Sequence, residues 1–136
     1  MKAEKQKLII LGILYLILLL IDFNTTYKSC ARKVSILLPI HRLIWIFSYF
    51  GWIFNSKVIL WCFIIVNIML FFHWMTNRWK CIVTEIENKK CNFEPDTRSD
   101  YIYVLMKDDK KATIVAGTIR IILIAITLKK LDIFLN

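Results

Sequence analysis

Four long apolar runs, separated by polar segments, constrain the fold of this chain more than any other feature. The runs cover residues 8–23, 34–54, 58–75 and 112–128. A helix of about 20 residues crosses the hydrocarbon core of a bilayer, and a helix bonds all of its backbone polar groups internally, as lipid requires. The sequence therefore predicts one all-α membrane domain over residues 1–136, folded as a four-helix bundle.

The first run follows a basic start, as the core of a signal peptide would. The apolar stretch at residues 8–21 is at the upper end of the roughly 7–15 residues usual for such a core. The residues after it, Asp22-Phe23-Asn24-Thr25-Thr26, make a poor cleavage site because they lack the small residues that signal peptidase prefers. We therefore predict a retained first helix.

Composition agrees with a membrane protein. Hydrophobic residues make up 58% of the chain, against about 45–50% in a soluble domain. The net charge is +9, and most of it lies outside the apolar runs, where lysine and arginine contact lipid headgroups or fix orientation. No basic stripe with interleaved aromatic residues is present, so the expected partners are the bilayer and other membrane or assembly proteins, and not nucleic acid.

Four spans would place both termini on one side of the membrane, which we call face A. Residues 24–33 and 76–111 would then lie on the opposite side, face B. Most lysine and arginine residues outside the spans fall on face B, and the positive-inside rule therefore favours a cytosolic face B.

The polar segment at residues 76–111 contains a predicted interfacial helix between the third and fourth spans. Its apolar residues recur at helical spacing: Trp79, Ile82, Val83 and Ile86. A turn is predicted at residues 94–97, and the apolar piece at residues 101–106 is either a strand or a second interfacial helix.

Arg120 falls at the centre of the fourth span. Its insertion at that depth costs roughly 2.5–3.5 kcal/mol, and a functional role is the default hypothesis for such a residue. Asn67 lies near the middle of the third span and could share that depth. We expect either a hydrogen bond between the two side chains or a contact with a partner protein.

His41 and His73 are the two histidines of the chain. Counted from the turn at residues 55–57, they lie at depths that differ by about 4.5 Å at a rise of ~1.5 Å per residue. Two histidines at similar depth on adjacent helices suit a bis-histidine haem or a metal ion. The alternative is that each histidine anchors a helix end at the interface.

Three of the four cysteines, Cys30, Cys81 and Cys91, also fall on face B. Their spacing is not that of a zinc finger, because no Cys-x-x-Cys is present. A disulfide between two of them is expected if face B is lumenal, and free thiols are expected if it is cytosolic.

The most specific local pattern follows the third span. It consists of His73, Trp74, Asn77, Cys81, Thr84 and Glu87. In these residues the chain resembles a group of small four-helix membrane proteins of bacteria, with relatives in large DNA viruses, that share His-Trp, an Asn, and Cys-Pro-Leu-Thr-x-x-Glu. The resemblance covers roughly residues 35–90 and departs at Ile82-Val83, where the group has Pro-Leu. It implies a fold and no activity.

Much of this motif has a structural interpretation. Thr84 and Glu87 have the spacing of a capping box at a helix start, while Asn77 and Cys81 would shape the turn before that helix. Glu85 and Glu87 are interpreted as a solvated face. No phosphate-binding loop, His-Glu-x-x-His or nucleophile elbow is present.

The sequence therefore leads to a first hypothesis of a non-catalytic accessory or structural subunit of a larger membrane assembly, with no cofactor. A viral internal membrane or an organelle membrane would suit it. The second hypothesis is a small redox, metal-binding or haem-binding membrane protein that uses His41 and His73. The third is a lipid-handling membrane enzyme that works at face B.

Overall fold

The computed structural model describes residues 2–78, 80–93 and 109–135, and its regular secondary structure within these ranges is entirely helical. The α-helices are α1 (Lys2–Asn24), α2 (Leu37–Phe50), α3 (Lys57–Thr76), α4 (Ile82–Cys91) and α5 (Asp109–Leu135). Short 3-10 turns at Ala31–Val34 and Gly51–Ile53 precede and follow α2. The all-α prediction is confirmed for these residues.

Three of the helices are long and apolar enough to cross a membrane: Lys2–Asn24, Lys57–Thr76 and Lys111–Asp132. Most residues of these apolar stretches face outward, as a lipid-facing helix requires. In α1 only 6% of the most apolar stretch is buried. These helices agree with an integral membrane protein. The segment Leu37–Ile53 is apolar but shorter, so a fourth crossing stays a prediction.

The helix boundaries depart from the predicted spans for identifiable reasons. Helix α2 begins at Leu37 rather than residue 34, with Pro39 in its first turn, where a missing N–H costs no intrahelical bond. Helices α1 and α5 are longer than their apolar runs. Their added turns carry Lys7 and Lys130, which lie near the C-terminal end of α2. Their ammonium groups donate to the carbonyl oxygens of Ile53 at 2.8 Å and Phe54 at 2.6 Å, which satisfies acceptors that a helix end leaves free.

A cluster of apolar side chains holds the face-A end together. It consists of Leu60, Phe63, Ile64 and Leu131, with Phe47, Trp52, Leu123 and Ile124 packed around it. Gly51 lets the chain pass close to this cluster, because a Cβ atom there would lie 2.8 Å from the Phe63 ring. Apolar packing between α3 and α5 therefore fixes the face-A end, which we call the apolar end.

The face-B end is held differently, by a buried ion pair and a disulfide. Arg42 on α2 and Asp22 on α1 are both almost fully buried, and the guanidinium donates to the two carboxylate oxygens over 2.5 Å and 3.2 Å. Cys30 and Cys91 are joined in a disulfide with their Cα atoms 5.3 Å apart. We call this region, from Asp22 to the α4 helix, the polar end.

Helix α4 occupies the place predicted for the interfacial helix and packs against α2 and the first 3-10 turn. It ends at Cys91, and the next residue, Asn92, has a φ of 54°, the left-handed conformation that often closes a helix. Ile82 and Ile86 are partly exposed, while Glu87 and Asn88 face the protein interior. Trp79, the predicted turn at residues 94–97 and the apolar piece at residues 101–106 lie outside the described residues.

Candidate functional site

The start of α4 differs from the predicted capping box. The helix begins at Ile82, and Cys81, not Thr84, occupies the N-cap position with extended backbone angles (φ −83°, ψ 120°). The Ile82 N–H donates to His73 Nε2 over 3.1 Å, so a histidine from α3 bonds one of the free N–H groups of the helix start. The capping-box prediction was wrong because the Glu87 side chain is engaged elsewhere.

Cys81 and Glu87 are joined through His41. The Cys81 sulfur lies 3.6 Å from Nε2 of the His41 ring, and the other ring nitrogen, Nδ1, lies 3.0 Å from Glu87 Oε1. Tyr27 completes the chain by donating its hydroxyl to Glu87 Oε2 over 2.8 Å. A thiol, an imidazole and a carboxylate in this order have the arrangement of a nucleophile, its base and the group that orients the base.

The surroundings of Cys81 favour the thiolate. Burial raises the pKa of the thiol, but the contact with His41 and the backbone N–H groups of Val83 and Thr84 outweigh burial and hold that pKa below its ordinary value. A helix N-terminus is also the positive end of the helix dipole. Low-pKa cysteines at such positions are the reactive ones in proteins.

Glu87 contradicts its interpretation as part of a solvated face. Its side chain is fully buried, because Tyr27 from the loop after α1 and His41 from α2 close over it. Glu85, two residues earlier, is exposed and accepts a hydrogen bond from Asn77 Nδ2 over 3.1 Å. The same Asn77 amide donates to the Lys80 carbonyl over 3.0 Å, which agrees with the predicted role of Asn77 in shaping the turn.

A cavity of about 200 Å³ lies beside the Cys81–His41 pair. Four helices contribute to its walls, and the polar and aromatic side chains that line it are His41, Arg42, Trp45, Ser48, His73, Trp74, Cys81, Thr84 and Arg120. The cavity therefore brings together the two predicted histidines, most of the predicted motif and the intramembrane arginine, which lie far apart in sequence.

Arg120 and Asn67 do not form the predicted hydrogen bond. Asn67 is buried and donates to the Phe63 carbonyl of its own helix over 2.9 Å. The Arg120 guanidinium donates instead to Ser48 Oγ over 3.3 Å and lies over two aromatic rings, with its central carbon 4.2 Å from the Trp74 ring and 4.9 Å from the Tyr49 ring. The aromatic neighbours hold the cation where an amide was expected.

The two histidines share the cavity, and contacts already engage both ring nitrogens of His41 and one ring nitrogen of His73. His41 uses both nitrogens, toward Glu87 and Cys81, and His73 accepts the Ile82 N–H at Nε2. Within residues 2–78, 80–93 and 109–135, no group of three or more His, Cys, Asp or Glu side chains is arranged to hold a metal ion. Ligation of a haem or a metal ion by His41 would require one of its two contacts to break.

Sequence reasoning missed the Glu87–His41–Cys81 connection and the Asp22–Arg42 pair. The available signals were Cys81, just before a predicted helix, and Asp22, at the end of an apolar run. Neither signal indicates which residue the side chain contacts. Comparison with protein-family models, curated proteins and solved structures found no match.

Proposed function

We propose that this protein is a membrane enzyme in which Cys81 accepts an acyl group from a membrane-borne ester. The observation that carries this proposal is the chain of contacts from Cys81 through His41 to Glu87 beside a cavity. It belongs to the lipid-handling hypothesis of the three that the sequence left open.

In the first half-reaction, His41 takes the proton of Cys81, and the thiolate attacks the carbonyl carbon of the ester. A carbon–sulfur bond forms, the carbon–oxygen bond to the alcohol breaks, and His41 returns the proton to the leaving oxygen. Water, or a second alcohol, then attacks the thioester while His41 removes its proton. The carbon–sulfur bond breaks, and the proton returns to the Cys81 sulfur.

Glu87 acts through His41. Its carboxylate faces Nδ1, which fixes an N–H on that side of the ring and leaves Nε2 to exchange a proton with the Cys81 sulfur. The hydroxyl of Tyr27 holds the carboxylate in place. Since the disulfide ties the last residue of α4 to the loop that carries Tyr27, the site is assembled by contacts between segments distant in sequence.

The location of the site favours a substrate that resides in the bilayer. Cys81 lies between the third apolar helix and α4, and the helices around the cavity expose large apolar side chains such as Ile44, Ile82 and Phe72. An ester at the boundary between headgroups and hydrocarbon would reach the thiol without leaving the membrane.

The test is acyl transfer by the purified protein in neutral detergent, with p-nitrophenyl octanoate as the acyl donor. We expect nitrophenol release and an octanoyl adduct on Cys81 by mass spectrometry. Cys81→Ser and His41→Ala should lower the rate by about 10²-fold or more, as loss of a general base does. Cys62→Ser is the matched control, since Cys62 is an exposed free thiol on α3. Equal octanoylation of Cys62 and Cys81 would contradict the proposal.

Two other hypotheses have distinct outcomes. A non-catalytic subunit would co-purify with stoichiometric partners and would keep its assembly and its phenotype in Cys81→Ser. A haem or metal protein using His41 and His73 would show a Soret band or bound metal that is lost in both His41→Ala and His73→Ala. We favour acyl transfer because both ring nitrogens of His41 already have partners.

A further inference from the structure

Arg120 lines the same cavity as Cys81, and some of its guanidinium N–H donors lack an acceptor among the described residues. Its side chain is 5% exposed, and one terminal nitrogen, Nη2, donates to Ser48 Oγ. Within the described part of the chain, Nε and Nη1 have no hydrogen-bond partner. The rings of Trp74 and Tyr49 attract the cation, but a ring face is a poor substitute for the oxygen acceptors that five guanidinium N–H groups require.

The buried carboxylates nearby are committed to other groups. Asp22 binds Arg42 through both oxygens, and Glu87 binds Tyr27 and His41. Neither forms an ion pair with Arg120. A guanidinium that is buried, positively charged and incompletely bonded matches the planar, bidentate geometry of a carboxylate or a phosphate.

The size of the cavity and the position of Arg120 limit the ligand. Ser48, which contacts Arg120, lies seven residues beyond His41 on α2, and that is about 10 Å at a rise of ~1.5 Å per residue. The cavity volume of about 200 Å³ is below the roughly 300–1,000 Å³ of sites that enclose a drug-sized ligand. The cavity can therefore enclose a polar group and a short piece of chain, and a longer chain has to extend into the bilayer.

We propose that the inner end of this cavity is an anion site in which Arg120 and Ser48 bind the carboxylate or phosphate group of an amphiphile whose hydrocarbon chain lies in the bilayer. This inference rests on the proposed function, and it deepens it by naming the substrate class: an acidic lipid. The same arginine that was expected to hold a polar partner in the membrane then selects the ligand by charge.

The test measures binding directly and does not depend on catalysis. Native mass spectrometry of the protein in neutral detergent compares dodecyl phosphate, dodecanoate, dodecanol and inorganic phosphate. We expect both dodecyl anions to bind at least about tenfold more tightly than dodecanol, which is 1.4 kcal/mol. Equal binding of dodecanol would overturn the anion site. Binding of inorganic phosphate as tight as that of dodecyl phosphate would overturn the amphiphile.

Variants locate the site. Arg120→Gln should remove the preference for the anions, whereas Lys89→Gln should keep it, since Lys89 is an exposed cation on α4. If Arg120→Gln does not fold, the wild type still decides the question: dodecyl phosphate should slow the alkylation of Cys81 by iodoacetamide, and dodecanol should not. Equal protection by both, or by neither, would contradict the inference.

Failure of the two proposals is distinguishable. Cys81→Ser should still bind dodecyl phosphate, because the anion site does not use the thiol. Anion preference without any octanoyl adduct would leave the binding site standing and remove the acyl-transfer function. An octanoyl adduct without anion preference would remove only the anion site.

Discussion

The two ends of the bundle are held together by different physics. The apolar end rests on side chains such as Leu60, Phe63 and Leu131, which tolerate many substitutions of similar size. The polar end rests on the buried pair of Asp22 with Arg42, the Tyr27–Glu87–His41 chain and the Cys30–Cys91 disulfide. The Cys81 thiol and the cavity beside it lie at the polar end.

The two kinds of contact differ in how strictly they specify the position of a side chain. Buried charges are costly unless every partner is in place, and their loss leaves another charge uncompensated. Apolar contacts carry no such requirement and specify position less strictly. The buried ion pair of Asp22 with Arg42 and the buried carboxylate of Glu87 both lie at the end that carries Cys81, so side-chain positions are specified more strictly there.

The largest effect is expected from the buried ion pair. Asp22→Asn leaves the Arg42 guanidinium without its carboxylate, and the loss of one partner from a buried pair costs about 3–5 kcal/mol. The matched change at the apolar end is Ile64→Val, which should cost about 0.5–1.5 kcal/mol. The free energy of unfolding, measured by circular dichroism during denaturation in mixed micelles, checks both. Equal losses in the two variants would remove the contrast between the ends.

Removal of the Cys30–Cys91 disulfide should cause the second largest loss of stability. Cys91→Ser should lower the free energy of unfolding by about 2–4 kcal/mol, and it should also slow the alkylation of Cys81, since α4 loses its tether to the loop after α1. Cys62→Ser, on the exposed side of α3, should change stability by no more than about 0.5 kcal/mol. A Cys91→Ser protein with unchanged stability and unchanged Cys81 reactivity would show that the tether has no role.

The same disulfide bears on orientation. Disulfides persist in oxidising compartments, so the Cys30–Cys91 bond favours face B on the non-cytosolic side, opposite to the expectation from the lysine and arginine count. In sealed native vesicles that were reduced first, an impermeant thiol reagent should reach Cys30 and Cys91 from the non-cytosolic side. Labelling from the cytosolic side alone would restore the positive-inside orientation.

The pH dependence of Cys81 gives the finest test. Because its pKa is held below the ordinary value of a thiol, the thiolate persists as the pH falls, and the iodoacetamide rate should level off at a lower pH than that of an ordinary thiol, whose pKa is about 8.5. His41→Ala removes the main stabilising contact and should move the inflection to higher pH. Peptide mass spectrometry measures both rates, and an inflection of the wild type at or above ~8.5 would contradict the site geometry.

The helical fold was largely predictable, and the site was predictable only in its parts. Long apolar runs identified α1, α3 and α5, and helical spacing identified α4. Arg120, His41, His73 and Cys81 stood out as residues that are costly or reactive in a membrane. Their contacts were not predictable, since Asn67 was the expected partner of Arg120, and Ser48, Tyr49 and Trp74 took that place.

The class of molecule follows from the sequence alone, because the hydrophobicity of a run and its length decide whether a helix is stable in lipid, and both are local properties. The contacts of the candidate site follow only from the tertiary structure. Whether Glu87 is solvated or orients His41 depends on how α4 rotates against α2 and on the loop that brings Tyr27, contacts that span 46 and 60 residues of sequence. Such contacts depend on packing and desolvation across elements, and no local pattern in the chain encodes them.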